Sequence, residues 1–192
     1  VPAVTVERGT ALKEWAAVVM ALESGIQILV LRKGGVREEG FSADNDTFFF
    51  YPTGFHQTGD KLKPAHRHLL QEARDAIAAA GESKVRIRSL GRMIQSFEIH
   101  SPYKMAALAD EYVYTVDEMN KRYEFRPGDS LTALVVRVYR LPDPVEIPVK
   151  TKYGGCVSWV HLDENIPTAN ACPVLSDECF QERLKTVRSL LS

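Results

Sequence analysis

The sequence predicts an α+β fold: a small mixed or barrel-like β-sheet with flanking helices and a C-terminal amphipathic helix. Three observations point there. Apolar, strand-like runs recur at 26–31, 47–51 and 131–141, and helical patterns lie between them at irregular intervals. Many connections are too short for the crossovers that a parallel sheet requires. The chain of 192 residues reads as one α+β domain over 1–162 with a C-terminal extension over 163–192. A chain of this length buries roughly 70% of its extended surface, so its core needs neither metal nor disulfide.

Composition narrows the function classes. The chain is 45% hydrophobic and 26% charged, with a formal net charge of −1. That balance argues against a protein coating nucleic acid non-specifically, while leaving room for a local basic groove. No run of 18 apolar residues exists, so no helical membrane span is expected. Cys156, Cys172 and Cys179 are odd in number and lack CxxC spacing, which argues against zinc and against a disulfide framework. Reduced thiols are expected; a Cys172–Cys179 pair stays open if the compartment is oxidising. No cofactor is expected. With reduced thiols the expected location is cytoplasmic, or the plastid stroma if a transit peptide has been removed; the start at Val1 without Met does not decide between them.

In chain order, 1–9 reads as an extended lead-in. Thr10 caps a helix over about 11–24 with Trp15, Val18, Val19 and Leu22 on one face and Gly25 as its stop. A strand buried on both faces follows at 26–31, then a charged loop over 34–46 with Gly34, Gly35 and Gly40. The aromatic run 47–51 is a strand ended by Pro52 and Gly54. Pro64 starts and Gly81 stops a helix with His66, Leu69, Leu70, Ala73 and Ile77 as its stripe. Lys84, Arg86 and Arg88 alternate with Val85 and Ile87 in a half-exposed strand, and a second strand follows Gly91 over 94–100. Ser101-Pro102 opens a short helix to about Glu111. A strand is expected over 111–114, and Thr115 with Glu118 forms a capping box. After the turn Arg126-Pro127-Gly128-Asp129 comes the long strand 131–141, stopped by Pro142 and Pro144. Strands over 145–149 and 157–162 follow, then an irregular stretch and a helix capped by Ser176 with Phe180, Leu184, Val187 and Leu191 on one face.

The segments LKEWAAVVMALESGIQILVLRKGG, YPTGFHQ, RPGDSLTALVVRVYRL and YGGCVSW resemble the uncharacterised family called domain of unknown function eighteen-oh-two, from about Ala11 to Leu162. That family is known chiefly from cyanobacteria, other prokaryotes and plastid-bearing eukaryotes, so the resemblance implies a lineage and no reaction. A fold-level likeness to PUA and ASCH barrels, which bind RNA or modified nucleosides, rests on Gly25 to Arg32 and on Gly128-Asp129 before a long strand. ASCH domains carry a Lys after the Gly and a Glu before the Arg; Gln27 and Val30 stand there, so hydrolytic chemistry is not carried over.

Two clusters are candidate sites. Arg32 and Lys33, followed by two glycines, suit an anion, whereas Tyr51, Thr53, His56 and Gln57 offer stacking and edge hydrogen bonds to a base. If their strands are neighbours, both corners share one hollow. Lys84, Arg86, Arg88 and Arg92 form a basic run without an acid, a stripe roughly 13 Å long at ~3.3 Å per residue, able to follow a phosphate backbone or to shield a sheet edge. Arg137 and Arg140 are candidates to extend it. His66 and His68 point to different sides of a helix and cannot share one metal ion. Glu146 and Lys150 lack the nuclease spacing, and no activated Ser or Cys nucleophile stands out.

The first expectation is therefore an RNA- or nucleotide-binding domain. A second is a structural or assembly subunit of a larger, photosynthetic or plastid complex, with a protein partner docked through 163–192. A third is a hydrolase on a small nucleoside-like substrate with His56 as base.

Overall fold

The structure is a computed structural model, and it describes residues 9–33, 46–126, 128–155 and 157–191. The expected lead-in over 1–8, the glycine-rich loop over 34–45, Pro127 and Cys156 lie outside the described residues. Seven strands form one mixed sheet: β1 (Thr10–Trp15), β2 (Leu29–Lys33), β3 (Thr47–Thr53), β4 (Lys84–Ile99), β5 (Leu131–Pro148), β6 (Trp159–His161) and β7 (Cys172–Pro173). Their order is β2-β5-β4-β3-β1-β6, with β7 pairing β5. β1 runs parallel to β3; the other pairings are antiparallel. Helices α1 (Ala16–Glu23), α2 (His68–Ala80), α3 (Pro102–Ala107), α4 (Val116–Glu124) and α5 (Asp177–Leu191) complete the α+β class.

The first helix is shorter than its pattern predicts. Thr10–Trp15 is a strand, because β3 on one side and β6 on the other pair its backbone groups. Satisfying those groups outweighs the modest helical preference of Ala, Leu, Lys and Glu. Thr10 therefore does not cap α1; instead the Ala17 amide donates to Gln57 Oε1 at 2.9 Å. Gly25 stops the helix with φ of 72°, and a Cβ there would stand 2.6 Å from Leu175 Cδ2. The C-terminal segment lies against this turn.

Two expected breaks are absent. β4 runs straight through Gly91, where a Cβ would lie 2.5 Å from Val136 Cγ1 and 3.0 Å from the Phe50 ring. The missing side chain is what lets the Val136, Phe50 and Phe48 side chains of the flanking strands β5 and β3 close over β4 here. β5 continues past Pro142 and Pro144 to Pro148, pairing β4 along its length. Beyond Arg140 its other side carries no partner strand among the described residues, so prolines without an N–H are tolerated. The expected strand over 111–114 reduces to one bridge between Leu62 and Tyr114. The predicted helix from Pro64 opens as a 3₁₀ turn over Pro64–His66 before α2 begins. Thr115 and Ser176 cap α4 and α5 as their patterns predict, accepting from the amides of Glu118 and Cys179.

The main core lies between the curved sheet and the helices, with Leu12, Val18, Leu22, Phe48, Phe50 and Val136 at its centre. A second cluster on the opposite face holds Phe49, Ile87, Leu90, Tyr139 and Tyr153. The α5 stripe (Phe180, Leu184, Val187 and Leu191) belongs to the main core. Replacing Leu184 by Ala should therefore cost about 2–5 kcal/mol in urea unfolding. A change under about 0.5 kcal/mol, the size of an ordinary surface substitution, would mean that α5 is peripheral.

Candidate functional site

β2 and β6 are the two ends of the strand order, and the sheet curls until β2 meets β1 through side chains. Arg32 Nη2 donates to the Lys13 carbonyl at 2.6 Å and pairs with Glu14 Oε2 at 3.1 Å. Alternation along β1 puts Glu14 on the Leu12 face, and its side chain is only 2% exposed. Glu14 Oε1 accepts from the Trp15 amide at 2.7 Å. The fully buried rings of Tyr112 and Tyr114 pack beside this pair, with Arg122 over both Trp15 (4.5 Å) and Tyr114 (4.3 Å). Burial, reinforced by the Glu14 charge, pushes both tyrosine hydroxyls above their usual range, so they stay protonated. Burial by itself would weaken the Arg122 charge; with the tyrosines neutral, the Glu14 and Glu118 carboxylates counter it and hold the guanidinium ionised. Among the described residues, Glu14 Oε2, Arg32 Nε and the Tyr114 hydroxyl are buried without a hydrogen-bond partner, so Glu14 Oε2 meets Arg32 Nη2 as an ion pair only.

Outside this seam lies a groove of about 350 Å³ lined by Arg32, Lys33, Lys121, Arg122, Phe125 and Ser158, among others. Arg122 is paired with Glu118 at 3.0 Å. Lys33 donates to the Tyr123 carbonyl at 2.5 Å. Neither Lys33 nor Lys121 has a carboxylate ion-pair partner among the described residues. Phe125 presents a ring that is 58% exposed.

A second hollow, about 390 Å³, opens between α1, α2 and the β3–β4 pair. Val19, Met20, Ala73, Ile77 and Val85 line it, together with Tyr51, Thr53, Lys84, Arg86 and Arg88. Glu23 also lines it; Ser89 Oγ donates to its Oε1 at 2.7 Å and Arg88 Nε lies 3.4 Å from Oε2. Burial raises the Glu23 pKa, and Arg88, Ser89 and Arg140 only partly offset this.

The sequence-predicted residues thus divide between two places. Arg32 and Lys33 face the groove at the seam, whereas Tyr51 and Thr53 line the cleft. The end of β1 stands between them: the Glu14 side chain engages Arg32 while its carbonyl accepts from Thr53 Oγ1 at 3.2 Å. The single hollow expected for both corners does not form. Gln57 is buried and committed to Ala17 and to the Thr53 carbonyl. His56 is exposed with φ of 62°, and its carbonyl accepts from Lys61.

The basic run on β4 finds its partners on other elements. Lys84 and Arg86 share Glu146 at 3.0 and 2.7 Å, Arg88 pairs with Glu23, and Arg92 lies over the Tyr139 ring at 5.9 Å. Arg137 is buried against Asp177 and the Leu175 carbonyl, and Arg140 donates to the Glu23 carbonyl, so neither extends the stripe. Gln27 is buried and ties the Leu29 carbonyl to the Val113 amide.

Glu14, Glu23, Tyr112, Tyr114 and Arg122 carry much of this electrostatics and were not singled out by sequence. Reading Ala11–Trp15 as an alternating strand would have put Leu12 and Glu14 on one face. Nothing local marks the others. Among the described residues, no three His, Cys, Asp or Glu side chains are placed to hold a metal ion, and no helix is long and apolar enough to cross a membrane. Cys172 and Cys179 are exposed free thiols.

Fold and sites together define a mixed-sheet α+β protein whose curled sheet carries a cationic groove at its seam and an apolar cleft under two helices. The chain belongs to the family described as Domain of unknown function (DUF1802), whose model matches residues 11–186. The match continues past Leu162 into α5, so the family resemblance includes the tail. The chain is also similar to the crystal structure of ASCH from Zymomonas mobilis, at 12% identity over 93% of this chain and 94% of that one, with a TM-score of 0.43. A serine-to-alanine mutant of that protein is similar at 12% identity, over 94% of this chain and 98% of that one, with a TM-score of 0.42. No curated protein matches.

The raised Glu23 pKa has a measurable sign. The folded state holds this proton more tightly than the unfolded state, so the contribution to stability falls as pH rises through the window above the ordinary value of 4.5. Unfolding free energies measured from pH 4 upward should decline less for Glu23→Gln than for the unaltered protein. Parallel curves would remove that assignment.

Proposed function

We propose that the protein binds RNA or a nucleotide through the groove at the sheet seam. One observation carries the reading: Lys33 and Lys121, in no ion pair within 4.0 Å among the described residues, share the groove with Arg32 and Arg122 and with the exposed Phe125 ring. Such cations track phosphates while an open aromatic ring accepts a stacked base without reading its identity. Arg122 is held by Trp15, Tyr114 and Glu118, so its charge is in place before any ligand arrives. The small net charge confines this attraction to the groove.

The β4 stripe has less behind it as the nucleic-acid surface, since Lys84, Arg86 and Arg88 are matched by Glu146 and Glu23. Docking of a protein partner through 163–192 is weakened because α5 commits its apolar stripe to the core. A hydrolase with His56 as base lacks an orienting hydrogen bond to that ring among the described residues.

Binding of a single-stranded RNA oligonucleotide, measured against salt, tests the reading. The Lys33→Ala/Lys121→Ala variant should bind more weakly, with a salt slope shallower by about 1.4, or two phosphates at about 0.7 each. An unchanged affinity and slope would overturn it.

A further inference from the structure

We propose that the cleft between α1, α2 and the β3–β4 pair binds a small amphipathic carboxylate, with its acyl chain along the apolar wall and its carboxylate against Arg86 and Arg88. This site is separate from the seam groove and does not depend on how that groove is used.

Size and lining come first. A hollow of about 390 Å³ lies in the range of roughly 300–1,000 Å³ typical of small-molecule sites. Its walls are mostly apolar: Val19 and Met20 from α1, Ala73 and Ile77 from α2 and Val85 from β4, with the rings of Phe50, Tyr51 and the exposed Phe55 on the β3 side. Ala73, Ala76 and Ala80 are too short to fill the space between α2 and the sheet, which is why the helices leave it open. Ile77, on the stripe that should be buried, is 36% exposed and faces this hollow instead. A wall with so few polar groups suits a hydrocarbon chain and offers little hydrogen bonding to a ribose or a base edge.

Charge then selects the head group. Lys84 and Arg86 share the single carboxylate of Glu146, which leaves one of these two cations unmatched. Arg86 uses Nη2 on Glu146, and Arg88 meets Glu23 through Nε at 3.4 Å, so each guanidinium keeps further N–H donors. Arg86 and Arg88 both line the hollow, the second at a bulge in β4, and planar guanidinium groups are well matched to a carboxylate. Glu23 is engaged by Ser89 and Arg88, and Glu82 is exposed, where solvent and salt screen its charge. Glu23 therefore competes with an incoming carboxylate for Arg88, a competition that gives the proposal a signed test.

Calorimetric titration of the whole chain with hexanoate, octanoate, decanoate and decanol is the experiment, with adenosine monophosphate as the alternative ligand. Affinity should rise about fourfold per added methylene, and decanol should bind well below decanoate. Arg86→Ala should weaken decanoate about tenfold while leaving decanol unchanged. Glu23→Gln should tighten decanoate by releasing Arg88. Equal binding of decanol and decanoate, no dependence on chain length, or a Glu23→Gln variant that binds more weakly would overturn the proposal. So would binding of the nucleotide in preference to decanoate. Self-association without decanoate binding would assign the cleft to a second copy of the chain and overturn it too.

Discussion

The ion pair between Arg32 and Glu14 is the contact on which the rest of the molecule leans. A sheet whose order ends at β2 and β6 has two unpaired edges, and an exposed edge invites pairing with other chains. Here the sheet curls until β2 approaches β1, and the Arg32 side chain closes the gap by reaching the Lys13 carbonyl and the Glu14 carboxylate. Taking two such charges out of water costs several kcal/mol per ion, and only a close partner with added hydrogen bonds offsets that cost. The pair is therefore a constraint as well as a contact. Neither residue is tolerable in this place without the other.

That constraint positions both hollows. Because Glu14 is drawn inward, Trp15 falls at the junction where β1 becomes α1, with Lys61 and Arg122 over its ring. Arg122 is thus fixed at the wall of the groove, beside Lys121 and Lys33. On the other side of the same strand, the Glu14 carbonyl holds Thr53, and Gln57 caps the start of α1. This fixes α1 over the sheet and sets one wall of the apolar cleft. The groove and the cleft are the two consequences of one turn of chain, and their chemistry differs because one meets charged ends and the other meets aliphatic helix faces.

Much of the architecture was legible in the sequence, and the failures share a cause. The stripe of α5, the caps at Thr115 and Ser176 and the stop at Gly81 were readable because each depends on neighbours within four residues. Thr10–Trp15 was misread because its strand character comes from β3 and β6, far away in the chain. Gly91 and Pro142 looked like breaks because their tolerance depends on what lies across the sheet. The same limit applies to the site. Arg32 and Lys33 are legible as the cationic end of a strand, yet the acid facing Arg32 and the acids facing Arg86 and Arg88 lie on other elements. A run of cations in sequence says nothing of its counter-charges in space.

The most direct measurement of the central claim is a double-mutant cycle on unfolding free energy with Arg32→Met and Glu14→Gln. Truncating one partner leaves the other charge buried, which costs about 3–5 kcal/mol. The double variant should then be more stable than the sum of the two losses predicts, by over about 1 kcal/mol, within the coupling known for contacting pairs. Losses that add to within about 0.5 kcal/mol would show that the two groups do not depend on each other, and the seam would need another explanation.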